Sequence, residues 1–220
     1  MRLAALYRCL LETYGPQGWW PAQSRFEVLV GAILTQNTAW QRVEQAIAGL
    51  RSAGLLHAEA LATCATPPLE EAIRPAGYFR VKACTLQEFC RWFLACGGFA
   101  ALDATETPAL RQALLGQRGV GPETADSMLL YAFDRPVFVV DAYTRRLLQR
   151  LGYTKEAALS YGALQAWLQE GLAAHAADYN EFHALIVTHA KRRCRVRPAC
   201  VDCVLRTVCA EARTMPQAAC

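Results

Sequence analysis

The stretch Gln117-Arg118-Gly119-Val120-Gly121-Pro122-Glu123-Thr124-Ala125-Asp126 constrains this chain more than any other. It reads as the end of one helix, a turn pivoting on two glycines, and the start of a second helix. A side chain at Gly119 or Gly121 would block φ > 0 and hold the backbone away from whatever it approaches. N–H groups at such a turn and at the next helix N-terminus form a seat for phosphate. An apolar run from Val137 follows and ends in Asp141, a carboxylate delivered to the start of a third helix.

With 220 residues, 54% of them hydrophobic and 19% charged, the chain has ample material for a core, as one large domain or two closely packed lobes. Global disorder is excluded by the same numbers. A net charge of +4 says little about partners. Its distribution says more: Lys191, Arg192, Arg193, Arg195, Arg197 and Arg206 crowd around the last cysteines, and Arg145, Arg146 and Arg150 follow Asp141. Such clusters are footprints for phosphates; for the second set a solvated helix face is the alternative.

Cys9, Cys84, Cys90 and Cys96 fall inside apolar helical patterns, where a free cysteine acts as a small buried hydrophobe. The N-terminus has no secretory pattern, and no apolar stretch reaches the roughly 18 residues needed to span a bilayer. A reduced, cytoplasmic, nucleoid-associated location is therefore expected, with the cysteines better suited to metal than to cross-links. Cys194, Cys200, Cys203 and Cys209, spaced by 5, 2 and 5 residues, suit either a structural zinc ion or an iron–sulfur cluster.

Phe26, Leu29, Val30, Ile33 and Leu34 recur at helical spacing. Thr107-Pro108 looks like an N-cap followed by proline at the first helical position. Met128, Leu129 and Ala132 continue an apolar face after the glycine turn, and Leu147, Leu148 and Leu151 another, closed by Gly152. The Ala-rich segment 171–178 suggests a helix of high propensity. Strand signals are nearly absent, so the fold class expected is all-α.

The glycine turn with its following aspartate resembles the helix-hairpin-helix plus Gly-Pro-Asp motif of the endonuclease III superfamily of DNA glycosylases. The cysteine signature is similar too, although its first gap is one residue shorter than usual in the family. The resemblance spans nearly the whole chain. It implies two helical lobes with an interlobe cleft, one over residues 22–134 and the other combining 1–21 with 135–220, and it implies that the four cysteines hold a [4Fe–4S] cluster. Trp19-Trp20-Pro21, Leu34-Thr35-Gln36-Asn37-Thr38 and Arg74-Pro75-Ala76-Gly77-Tyr78-Phe79 look like the 3-methyladenine DNA glycosylase III branch, which removes alkylated purines.

In such a family Asp141 would face the deoxyribose of a flipped nucleotide, stabilising oxocarbenium character or activating water; a plain N-cap is its alternative role. Glu123 stands where the bifunctional enzymes carry a lysine nucleophile, and glutamate cannot form a Schiff base. The resemblance therefore implies a monofunctional glycosylase, with Lys191 or Lys82 as the alternative source of a weak lyase. Gln36 is the candidate to fill the hole a flipped base leaves, or else a cap on the Phe26 helix. Gly119, Val120, Gly121, Thr124, Arg145 and Lys191 are the other candidate contacts to a double-stranded DNA partner bearing a damaged base. Trp19, Trp20 and Tyr78 could form a pocket for a cationic base by stacking and cation–π attraction, or could be core aromatics. A monomer is expected. The rivals are a bifunctional endonuclease III-like lyase for oxidised pyrimidines and a non-catalytic helix-hairpin-helix DNA-binding protein.

Overall fold

The computed structural model describes residues 2–214. Among them the regular structure is helical, as expected for an all-α chain. The chain divides into two compact units: one takes the residues up to Trp19 and from Pro136 onward, the other spans Trp20–Arg135. The first unit begins with α1 (Leu3–Tyr14). The continuous unit then carries α2 (Arg25–Leu34), α3 (Trp40–Ser52), α4 (Ala58–Thr63), α5 (Thr66–Ile73), α6 (Phe79–Ala95), α7 (Gly98–Asp103), α8 (Thr107–Leu115) and α9 (Pro122–Ala132). The first unit resumes with α10 (Ala142–Leu151), α11 (Thr154–Ala157), α12 (Tyr161–Glu170), α13 (Ala176–Arg192) and α14 (Ala210–Thr214). No helix among the described residues is long and apolar enough to cross a membrane.

In the continuous unit α2 is the central element. Ser24 caps it by accepting the Glu27 N–H at 3.2 Å, and every residue from Val28 to Leu34 is buried, so the helix is enclosed on all sides. It packs against α9, α3 and α6. Gly31 admits the Trp20 ring, which a Cβ there would meet at 3.2 Å. α8 and α9 form the two arms of the glycine hairpin, and Arg111 on α8 bonds both carboxylate oxygens of Asp126 on α9, at 2.6 and 3.0 Å. Thr107 is not the cap of α8: the helix already includes it, and Glu106 holds the cap position without a side-chain bond. Pro108 still falls in the first turn, where its missing N–H leaves no intrahelical bond unmade.

In the other unit α1 buries Leu3, Leu6 and Leu10 and packs on α13, with Tyr7 and Phe182 ring centroids 5.4 Å apart. Phe138 is enclosed by Tyr179 and Phe182 at 5.5 and 5.8 Å. The expected Ala-rich helix begins only at Ala176. Ahead of it α12 stops at Gly171, where a Cβ would fall 2.6 Å from the Leu3 side chain, and local turn bonds from Leu172 and His175 replace helix. Of the four cysteines expected inside apolar patterns only Cys90 is fully buried, its thiol pushed up to about 12 by burial; Cys9, Cys84 and Cys96 are half-buried.

Candidate active site

Asp141 is the N-cap of α10. Its Oδ1 accepts the Thr144 N–H at 2.7 Å, so the capping role is real. Oδ2 lies 3.5 Å from His183 Nε2 on α13, at the long limit of a hydrogen bond. Burial alone would push the carboxyl up, but His183 and the Thr144 N–H outweigh it and hold Asp141 below the ordinary aspartate range. One oxygen is therefore fixed by backbone while the other meets an imidazole, which gives a buried, ionised carboxylate of set orientation. His183 is the missed partner of Asp141, and no local spacing could have revealed a contact between residues so far apart in sequence.

At the hairpin the two glycines differ. Gly119 has φ +78, and a Cβ there would come within 2.7 Å of Thr85 Oγ1. Gly121 has φ −91, the ordinary region for any residue, and a Cβ there meets nothing within 4 Å. Its expected positive φ is therefore absent, and what it leaves is open space over the first turn of α9. The Val120 N–H is engaged by the Gln117 carbonyl at 3.1 Å, which removes it as a phosphate donor and leaves those of Gly119 and Gly121. Thr124 is buried rather than at the surface, and its hydroxyl accepts the Gln36 amide at 2.9 Å. Gln36 also donates to the Gly119 carbonyl at 2.8 Å. It does not cap α2, which ends at Leu34 with Thr35 as its C-cap, and does not point away from the hairpin; it is tied to it. Glu123 is exposed in the first turn of α9, where the helix end favours an anion.

The arginines after Asp141 do other work than expected. Arg145 donates to the Ala157 and Leu159 carbonyls at 2.9 and 2.8 Å. Arg146 donates to the Cys194 carbonyl at 2.9 Å. Arg150 reaches the Arg195 and Val196 carbonyls at 2.6 and 3.0 Å and Glu211 at 3.0 Å. They brace the cysteine loop and the α11–α12 connection, and for Arg145 both bonds come from Nη1, so its other donors stay a candidate contact to phosphate. Lys191 is exposed near the end of α13, with Nζ 5.7 Å from the Trp19 ring centroid. Trp20 packs edge-on to Trp40 at 5.2 Å and against Tyr131, and it lines a cavity of about 180 Å³ together with Trp40, Glu27, Glu44 and Arg51. Tyr78 is 75% exposed, in the left-handed region at φ 45.

Cys194, Cys200, Cys203 and Cys209 all line one pocket, whose other walls include Leu147, Leu151, Leu205, Arg150 and His189. No group of three or more His, Cys, Asp or Glu side chains among the described residues is placed to hold a metal ion. Burial and then the neighbouring Cys209 and Cys194 push the Cys200 thiol up. His189 is buried, with Nδ1 2.9 Å from the Tyr14 hydroxyl and Nε2 3.8 Å from Cys203 Sγ. Burial, reinforced by Arg193, pushes its pKa down to about 4.

Comparison with known proteins bears on this arrangement. Residues 30–172 match the family model described as HhH-GPD superfamily base excision DNA repair protein. A Methanocaldococcus jannaschii protein provisionally named a DNA repair glycosylase is 44% identical over 207 residues, covering 93% of this chain and 94% of its own. The H. pylori 3-methyladenine DNA glycosylase bound to 1,N6-ethenoadenine superposes with a TM-score of 0.77 at 28% identity, over 87% of this chain and 98% of that one. A trapped endonuclease III–DNA covalent intermediate gives a TM-score of 0.80 at 21% identity, over 97% and 98%, and attests the fold. The hairpin, the capping aspartate and the matched residues agree, and the chain belongs to the HhH-GPD superfamily of base excision DNA repair proteins.

Proposed function

We propose that this protein is a monofunctional DNA glycosylase that hydrolyses the N-glycosidic bond of alkylated purines in double-stranded DNA. The observation that carries the proposal is the buried, ionised Asp141 held by Thr144 and His183. Glu123, in the first turn of α9, stands at the position where the resemblance gives Schiff-base enzymes a lysine, which supports the monofunctional reading. Lys82, the alternative nucleophile, is buried with its ammonium bonded to three oxygens, so it is withdrawn from that role.

The N–H groups of Gly119 and Gly121 would take phosphate oxygens without reading sequence, and Gln36 would leave the hairpin to fill the space of the flipped nucleotide. Water then attacks C1′. Its proton passes to Asp141, and the electron pair of the breaking C–N bond leaves with the base. A purine alkylated at N3 or N7 carries positive charge and departs neutral, so the pocket needs mainly aromatic faces. The H. pylori glycosylase, with its bound ethenoadenine, supports a purine in such a site. Trp19 and Trp20 are the candidates here; the exposed Tyr78 would meet the duplex.

The four cysteines suit a [4Fe–4S] cluster. All four line one pocket, and the resemblance of their spacing to the family's cluster signature favours iron–sulfur over a single zinc. When bound, the cluster would supply structural support, since hydrolysis needs no electron transfer. Arg146 and Arg150, bonded to the loop carbonyls, would hold the basic residues Arg195 and Arg197 in place.

The test incubates purified protein with duplexes carrying a 3-methyladenine analogue, thymine glycol or an abasic site, with borohydride trapping in parallel. Release of the alkylated base without a trapped adduct is expected; thymine glycol removal with a trapped adduct would instead assign a bifunctional lyase. Iron and acid-labile sulfide in the same preparation are expected, and zinc alone would overturn the cluster.

A further inference from the structure

Lys82 lies in the first turns of α6 and is 3% exposed. Its Nζ donates to the Leu34 carbonyl at 2.8 Å, to Thr38 Oγ1 at 2.7 Å and to the Ala76 carbonyl at 2.9 Å. An ammonium has three donors and no acceptor, so its capacity is spent on these three oxygens. Burial pushes its pKa down to about 8, and a buried charge is tolerated only when hydrogen-bonded in this way.

The three acceptors mark out two separate segments. Leu34 and Thr38 bracket Thr35-Gln36-Asn37, and Ala76 immediately precedes Gly77-Tyr78. Each segment contains a non-glycine residue in the left-handed region, Asn37 at φ 51 and Tyr78 at φ 45. A tyrosine adopts this region only where its surroundings over-determine it, and an asparagine tolerates it more readily. Thr38 adds a cross-link, with Oγ1 2.6 Å from the Ala76 carbonyl and 3.0 Å from the Gln36 carbonyl. One buried cation thus sits between the loop that carries Gln36, which is bonded to the hairpin, and the turn that carries the exposed Tyr78.

We propose that Lys82 is a positioning residue whose ammonium locks the Gln36 loop to the Tyr78 turn, so that both side chains meet a DNA duplex in one fixed arrangement. It acts through Gln36 and Tyr78 and does not touch the reacting atoms. A methionine of similar length would fill the space yet leave three carbonyl and hydroxyl oxygens without their donor, and both left-handed residues could then relax.

The role rests on the proposed glycosylase activity, so the test separates the two. Amide hydrogen exchange in the free protein is measured for Lys82→Met, and single-turnover base release for Lys82→Met, Gln36→Ala and the double variant. Lys82→Met is expected to speed exchange in segments 34–38 and 74–79 while leaving α13 unchanged. It should slow release by roughly 10- to 100-fold, the scale on which a misplacement of about 1 Å acts at a distance from the chemistry. Most of that loss should vanish when Gln36 is already alanine, because residues acting through one another are not additive. Should Lys82→Met fail to fold, Thr38→Val removes one acceptor and is read by the same exchange experiment. Unchanged exchange in both segments, or losses that multiply independently, would overturn the role of Lys82 in an enzyme that still releases base. A wild-type protein that releases no base overturns the proposed function instead, and the exchange result still decides whether the ammonium holds the two segments.

Discussion

Asp141 Oδ2 lies 3.5 Å from His183 Nε2, with both side chains buried. His183 opposes the upward push of burial on the Asp141 carboxyl. Because the folded pKa sits below the ordinary aspartate value of about 3.9, the ionised form adds stability that is fully present above that value and is lost as pH falls through the folded pKa. His183→Phe removes the larger opposing influence and leaves only the Thr144 bonds against desolvation. The acid limb of the kcat/KM profile, which reports the free enzyme, should move to higher pH, and an unmoved limb would show that His183 does not tune this carboxylate.

Arg111 and Asp126 tie the two hairpin helices with two bonds, and Asp126 is wholly buried. Removing one partner of a buried pair costs about 3–5 kcal/mol, whereas replacing both by apolar residues of similar size is often near neutral. Thermal unfolding of Arg111→Met, which leaves the buried Asp126 without these two bonds, should therefore show a large loss, and Arg111→Met combined with Asp126→Leu a smaller one.

The hairpin glycines should respond differently to alanine. Gly119→Ala forces a side chain into φ +78 and onto Thr85 Oγ1, so a loss of roughly 1–3 kcal/mol is expected. Gly121→Ala meets open space and should stay within about 0.5 kcal/mol of wild type, yet weaken DNA binding by crowding the phosphate seat. Equal stability losses at both positions would contradict this division.

Glu123→Lys places an amine at the exposed first turn of α9. A borohydride-trapped adduct, absent from the wild type, is expected to appear with this variant on duplexes bearing a damaged base. Gel electrophoresis after trapping reads the outcome directly.

The parts of the fold legible in sequence are those whose signals are local. Gly119, Asp141 and Gly152 each announce a turn or a helix end through their own backbone needs, and the structure has them at φ +78, at an N-cap and at φ 105. Local signals misled at Gly121, which takes an ordinary φ of −91 in open space, and over 171–175, where Leu3 lies against Gly171. Arg145, Arg146 and Arg150 carried the pattern of a phosphate footprint, but their guanidinium groups go to loop carbonyls from distant segments. The same distance hid His183 from Asp141 and Lys82 from the Gln36 loop. A charged side chain read alone gives its chemistry but not its partner, and the partner decides whether it binds, braces or catalyses.

The most direct test of the account is single-turnover release of an alkylated purine from a duplex by wild-type protein and by Asp141→Asn. Asparagine still caps a helix, so the fold should survive, and loss of a carboxylate that takes a proton should slow release by about 10²- to 10⁴-fold. Release by Asp141→Asn at the wild-type rate would contradict the central role given to this residue.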